Sequence, residues 1–187
     1  MANRDPRETL IGWLNDAYAM ERSLVEVLEN HAKDASEFSP QMAQRMTQHL
    51  EETRMHAERV KECVERLGGS TSTMKTAMGK VSGFFQGLST GAAPDELVKN
   101  ALSDYAAEHF EIACYRALIV AARELGETEV ARICESILRD EEDMARFLET
   151  NLPMVVQSFL GSTATAGSFA PGSSGSFGSN PSGGSRF

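Results

Sequence analysis

His49-Leu-Glu-Glu-Thr-Arg-Met-His56 sets two carboxylates and two imidazoles within two helical turns. Glu52 and His56 are four residues apart, and residues so spaced lie on one side of an α-helix. The flanking sequence is helical in its periodicity. Met42, Met46, His49, Thr53, His56, Val60, Cys63 and Leu67 recur at spacings of three and four, and Glu52 borders that stripe. Ser39-Pro40 opens this helix and Gly68-Gly69 closes it.

Working outward, three more stretches repeat the pattern, each with a glutamate facing inward. In the first, Asp5 caps, Pro6 suits the first turn, and Glu8 completes a capping-box-like pair. Its stripe is Leu10, Leu14, Ala17, Glu21, Leu24, Leu28 and His31, and residues 34–40 form a short connection. A third helix starts at Pro94 with Asp95 and Glu96 in its first turn, where acidic groups suit the helix dipole. It carries Leu97, Ala101, Asp104, Glu108, Glu111, Tyr115, Leu118, Ala122 and Leu125, and ends at Gly126. The fourth carries Val130, Cys134, Ile137, Glu141, Met144 and Leu148, with Asn151 and Pro153 ending or kinking it and a last turn over 154–160.

No strand pattern interrupts these helices, so the fold class is all-α. Connections one and three are short and make antiparallel hairpins. Residues 70–93 are long and glycine-broken, with one weak amphipathic piece from Met74 to Leu88. One long crossover between helices 2 and 3 is the ferritin-like form of the four-helix bundle. The expected domain is residues 6–160. Residues 161–187 form a Gly/Ser-rich tail expected to be disordered, because a chain so poor in apolar side chains cannot offset the entropy of ordering. The tail repeats Gly-Ser-Phe at 167–169 and 175–177 and ends in Phe187, which makes a partner groove or an encapsulating shell a second reading beside a solvated tail.

The net charge is −9 at pH 7, with a pI near 5.0. An acidic chain lacks the cationic face that grips nucleic acid phosphates, so no nucleic acid partner is expected. No apolar run approaches the roughly 20 residues of a membrane span, and the opening Met-Ala-Asn-Arg-Asp-Pro-Arg-Glu is not a signal segment. Cys63, Cys114 and Cys134 lie in helical stripes without metal-ligand spacing and read as buried free thiols. These features together lead to the expectation of a cytoplasmic protein in a reducing compartment.

Four inward glutamates at similar depth would repel one another unless protons or cations intervene. Divalent metals remove the conflict, and Glu and His from facing helices are what dinuclear iron and manganese bundle sites use. The candidate metal ligands are Glu21, Glu52, His56, Glu108, Glu111 and Glu141, for one or two ions of Fe or Mn. The competing reading is a structural polar core with the glutamates protonated or paired with Arg22, Arg45 or Arg116. His56 reads equally as ligand or neutral core histidine. His49 reads as an outer or surface group, and His31 as remote from the centre. His109 lies on a face suited to a dimer seam. No side chain reads as a nucleophile or dedicated acid–base catalyst.

The segments Ala19-Met-Glu21, His49-Leu-Glu-Glu-Thr53, Glu108-His-Phe-Glu-Ile-Ala113 with Tyr115, Glu124-Leu-Gly126 and the acidic cluster 140–142 resemble the YciE/YciF-like branch of the ferritin-like superfamily. The resemblance spans residues 6–150. It implies a homodimeric four-helix bundle, a stress-associated role, and a core able to hold a dinuclear metal site. Carried across, it favours Glu21, Glu52, Glu111 and Glu141, with Glu108 and His56 as further ligands. Ferroxidase or peroxide-scavenging activity is the expectation that follows, with a non-enzymatic dimeric adaptor or nanocompartment cargo as the alternative. The wider ferritin pattern places His three residues after Glu on helices two and four. Here His56 follows Glu52 by four, and Met144 and Ala145 occupy both candidate positions on helix four.

Overall fold

The computed structural model describes residues 5–71 and 95–167. Four α-helices account for nearly all of them: α1 (Pro6–Phe38), α2 (Pro40–Arg66), α3 (Glu96–Glu124) and α4 (Thr128–Gly167). The weak amphipathic piece expected at 74–88 lies outside the described residues, as do Pro94 and the repeats of the tail beyond 167.

Local chemistry sets the helix ends. Asp5 caps α1, its Oδ1 accepting from the Arg7 backbone N–H at 2.9 Å. The C-termini of α2 and α3 close in the same way. Gly68 (φ 82°) donates to Glu65 O and Gly69 to Val64 O; Gly126 (φ 73°) donates to Arg123 O and Glu127 to Ala122 O. Each is a Schellman closure with glycine at the one left-handed residue.

Two boundaries differ from the expectation. Helix α1 runs on to Phe38 because Ala35 is buried against the core, so tertiary packing extends a segment that has no glycine or proline to stop it. Ser39 alone separates α1 from α2. Its N–H bonds Ala35 O while its hydroxyl accepts from Met42 N–H, so it ends one helix and caps the next. Helix α4 passes through Pro153 and reaches Gly167, beyond the expected start of the tail at 161. Proline removes one backbone bond, yet Val155 just past it is fully buried, and that burial holds the helix on course.

The main packing is α1 on α2 and α3 on α4; between the hairpins, α1 lies on α3 and α2 on α4. Arg7 pairs with Glu127 at one end of the bundle, and His31 with Asp104 toward the other. Gly69 at the close of α2 lies against Ile11, whereas α3 begins near the His31 end. Residues 67–95 therefore start and finish at opposite ends of the bundle, which is the ferritin-like crossover. The expected inner stripes of α1, α2 and α4 are all buried, and Asp104 to Ala122 are buried on α3. No helix among the described residues is long and apolar enough to cross a membrane.

Candidate metal centre

Midway along the bundle the apolar core gives way to ionisable groups. Glu21 on α1, His49 and His56 on α2, Glu108 and Glu111 on α3 and Glu141 on α4 are each at most 2% exposed. Helical periodicity puts them there. Glu21, Glu111 and Glu141 occupy stripe positions whose neighbours one turn away are Leu24, Tyr115, Ile137 and Met144, and Glu108 lies one turn before Glu111 on the same stripe.

Glu141 sits between the two imidazoles. Its Oε1 is 2.9 Å from His56 Nδ1, and its Oε2 is 3.6 Å from His49 Nε2. His56 Nδ1 also faces Glu21 Oε2 at 3.8 Å, and His49 Nε2 faces Glu108 Oε1 at 3.0 Å. Two three-residue groups result, Glu21–His56–Glu141 and His49–Glu108–Glu141. Within each, one donor atom per residue lies within 4.8 Å of the others.

These close approaches lack the alignment of hydrogen bonds. Glu21 Oε2, Glu108 Oε2, both Glu141 oxygens, His49 Nε2 and His56 Nδ1 are buried with no hydrogen-bond partner; among the described residues the only other such side-chain atom is Asn15 Oδ1. Buried polar atoms are otherwise paired almost without exception, and a cation is a partner that all six donor atoms could share. Nitrogen and oxygen donors converging from four helices fit a divalent iron or manganese ion.

Electrostatics gives the cost of this arrangement without a cation. Burial, reinforced by the charge of Glu141, raises Glu21 to about 8. Burial raises Glu108 to about 7 against the opposing pull of His49. Glu111 is pushed well above the carboxylate range by burial and by the charges of Glu141, Glu21 and Glu108. Burial alone would lower His56, but contact with Glu141 and the charge of Glu21 raise it to about 9. His49 is likewise raised, against burial, by Glu108. Glu21 and Glu111 thus hold protons near neutral pH while both imidazoles hold charge, the compromise expected of crowded carboxylates in low dielectric.

Five of the six expected site residues meet in this core: Glu21, His56, Glu108, Glu111 and Glu141. Glu111 shares the buried region but belongs to neither three-residue group. Glu52 does not join them. Its side chain, 17% exposed, accepts from Arg45 NH1 at 3.0 Å and Gln48 Nε2 at 2.7 Å, and faces His49 Nδ1 at 3.3 Å. The reason is angular: Glu52 borders the inward stripe, whereas His49 lies within it. His49, expected as an outer group, is 1% exposed. Its place in the stripe Met42–Met46–His49–Thr53 was the signal in the sequence. Asp140, 41% exposed, meets His56 Nε2 from outside at 3.1 Å.

A sequence profile of the family described as "Domain of unknown function (DUF892)" matches residues 5–161. Protein YciF of Escherichia coli (strain K12) is 30% identical over 144 residues, covering 72% of this chain and 82% of YciF. The structure of that E. coli stress protein superposes with a TM-score of 0.70, over 82% of this chain and 98% of its own. A protein of Xanthomonas campestris pv. campestris superposes with a TM-score of 0.72 at 39% identity, over 86% of this chain and 99% of its own. The bacterioferritin of Desulfovibrio desulfuricans, a protein with a diiron site, superposes with a TM-score of 0.68 at 27% identity, over 89% and 91%.

Proposed function

The chain belongs to the DUF892 family, in a branch that includes YciF, and within that frame we propose that its ferritin-like core binds iron or manganese at the carboxylate–imidazole cluster. One observation carries the reading: the six unpartnered donor atoms on Glu21, His49, His56, Glu108 and Glu141. The diiron site of the similarly folded bacterioferritin supports it. Glu21, His56 and Glu141 would hold an ion together, and a bound iron would supply one-electron redox chemistry toward dioxygen or peroxide.

The protein's own contribution is binding and exclusion. Each cluster side chain is at most 2% exposed, so the helices would keep bulk water from an ion held there, and Leu24, Tyr115 and Met144, one turn from Glu21, Glu111 and Glu141, are buried with them. Tyr115 donates its hydroxyl hydrogen to Glu21 Oε1, which fixes that oxygen and leaves Oε2 turned toward His56. Under oxidative stress, the resulting activity would be oxidation of Fe(II) or removal of peroxide.

Metal content of protein purified without chelators tests this. One to two equivalents of Fe or Mn per chain, lost in Glu21→Ala and Glu141→Ala, is the expected result. Protein that is metal-free, and whose melting temperature is unmoved by added Fe(II) or Mn(II), would leave the non-enzymatic adaptor reading, because a ligand specific to the folded state must stabilise it.

A further inference from the structure

Resting on that reading of the core, we propose that His49 is itself a metal ligand, joining Glu108 and Glu141 around a second cation, and that Glu52 is the positioning residue that aims it.

Both imidazoles of the core come from α2, seven residues apart on one helical face; the only other histidines of the chain are His31 and His109. They present opposite nitrogens. His56 offers Nδ1 to Glu21 and Glu141, while His49 offers Nε2 to Glu108 and Glu141. The His49 ring is 1% exposed and its Nε2 has no hydrogen-bond partner, although Glu108 Oε1 stands 3.0 Å away. Glu108 Oε2 is also buried and unpartnered. Two orphaned donors on different helices, with a third from Glu141, meet the requirement for a cation with no contribution from α1.

The outer nitrogen explains why Nε2 is free to bind. Glu52 already accepts from Arg45 and Gln48, so its carboxylate is an acceptor, and His49 Nδ1 facing it carries the hydrogen. That leaves Nε2, facing Glu108 and Glu141, as the nitrogen that would give up its proton to a cation. A carboxylate behind a histidine, fixing its tautomer and ring plane, is the arrangement that holds metal-binding imidazoles in place. Glu52 acts through His49, and its distance from the cluster follows from that role.

Zn(II) titration of the full chain, stripped of metal, provides the test, with bound metal counted after gel filtration. The wild type is expected to take two equivalents and His49→Gln one. Glu52→Gln is expected to keep the first equivalent unchanged and to weaken the second about 10- to 100-fold. A Zn anomalous map of the wild type should show a peak beside His49 Nε2. Two equivalents retained by His49→Gln, or no peak beside His49, overturns the proposal. One equivalent in both wild type and His49→Gln also overturns it while leaving the parent reading intact; none in the wild type overturns both. Helical circular dichroism of each variant guards against misfolding, and the wild-type map decides the matter if His49→Gln does not fold.

Discussion

Tyr115 on α3 donates its hydroxyl hydrogen to Glu21 on α1, joining the two hairpins through a hydrogen bond between side chains that are both fully buried. Removing only the hydroxyl isolates its worth. Tyr115→Phe should lower the stability of the metal-free protein by about 1–3 kcal/mol, since Glu21 Oε1 is left buried without a donor. Urea unfolding followed by circular dichroism measures this, and native helix content should not change.

The bundle end near His31 gives a pH dependence independent of the metal centre. His31 Nδ1 is 2.6 Å from Asp104 Oδ1. Burial would lower the imidazole's pKa, but the hydrogen bond and charge of Asp104, with Asp34 and Glu96 adding to it, raise it above its usual 6.5. A folded-state pKa above the unfolded value means that the charged pair stabilises fully below about pH 6.5 and that this contribution fades as pH rises through the higher folded value. Melting temperature against pH should therefore fall more steeply on the alkaline side for wild type than for Asp104→Asn.

Glu141 faces both histidines, so on the proposed reading it is the residue on which all metal binding would depend. Glu141→Gln keeps shape but removes the one carboxylate the two groups share, leaving a single neutral oxygen. We expect loss of bound Fe or Mn to below one tenth of wild type, measured by elemental analysis. Arg45→Ala, whose guanidinium pairs with Glu52 rather than with the cluster, should retain most of the metal.

Thiol reactivity should divide by burial. Cys63 and Cys134 are buried, and burial pushes their thiols up to about 11 and about 12. Cys114 is half-buried and lines an apolar cavity of about 240 Å³ with Trp13, Met20 and Phe110. Since the thiolate is the reacting species, an aromatic disulfide reagent should modify Cys114 first in the native protein, with Cys63 and Cys134 following only on unfolding. Mass spectrometry of the modified peptides reads this directly.

Two glycines offer backbone tests of opposite kind. At Gly126, φ is 73° and a Cβ would meet nothing within 4 Å, so any cost of Gly126→Ala is conformational. A loss of about 1–2 kcal/mol is expected from equilibrium unfolding. At Gly69 the situation is reversed: a Cβ would stand 2.6 Å from Ile11 Cγ2, so Gly69→Ala costs through crowding of the α1–α2 hairpin.

The sequence by itself determined the helices, their inner stripes and the two-hairpin topology. Apolar spacing of three and four is a local property, and Leu10 to Leu28, Met42 to Leu67 and Val130 to Leu148 carry it without ambiguity. It also identified Glu21, His56, Glu108, Glu111 and Glu141 as inward, because a charged residue inside an apolar stripe inherits the stripe's direction. What only the tertiary structure decided was the partition at the edge of that stripe. Glu52 and His49 are three residues apart, and the rotation of α2 against α3 and α4 turns the imidazole into the core and the carboxylate toward Arg45. The stripe pointed to His49, but Glu52 has the chemistry of a ligand and a four-residue spacing to His56, and that chemistry competed with the pattern. The same holds for α1 beyond Asp34 and α4 beyond Pro153, where burial of Ala35 and Val155 carries each helix on. Periodicity fixes which way a helix faces; the burial of particular atoms, set by neighbours distant in sequence, fixes where the helix ends and which donor reaches the centre.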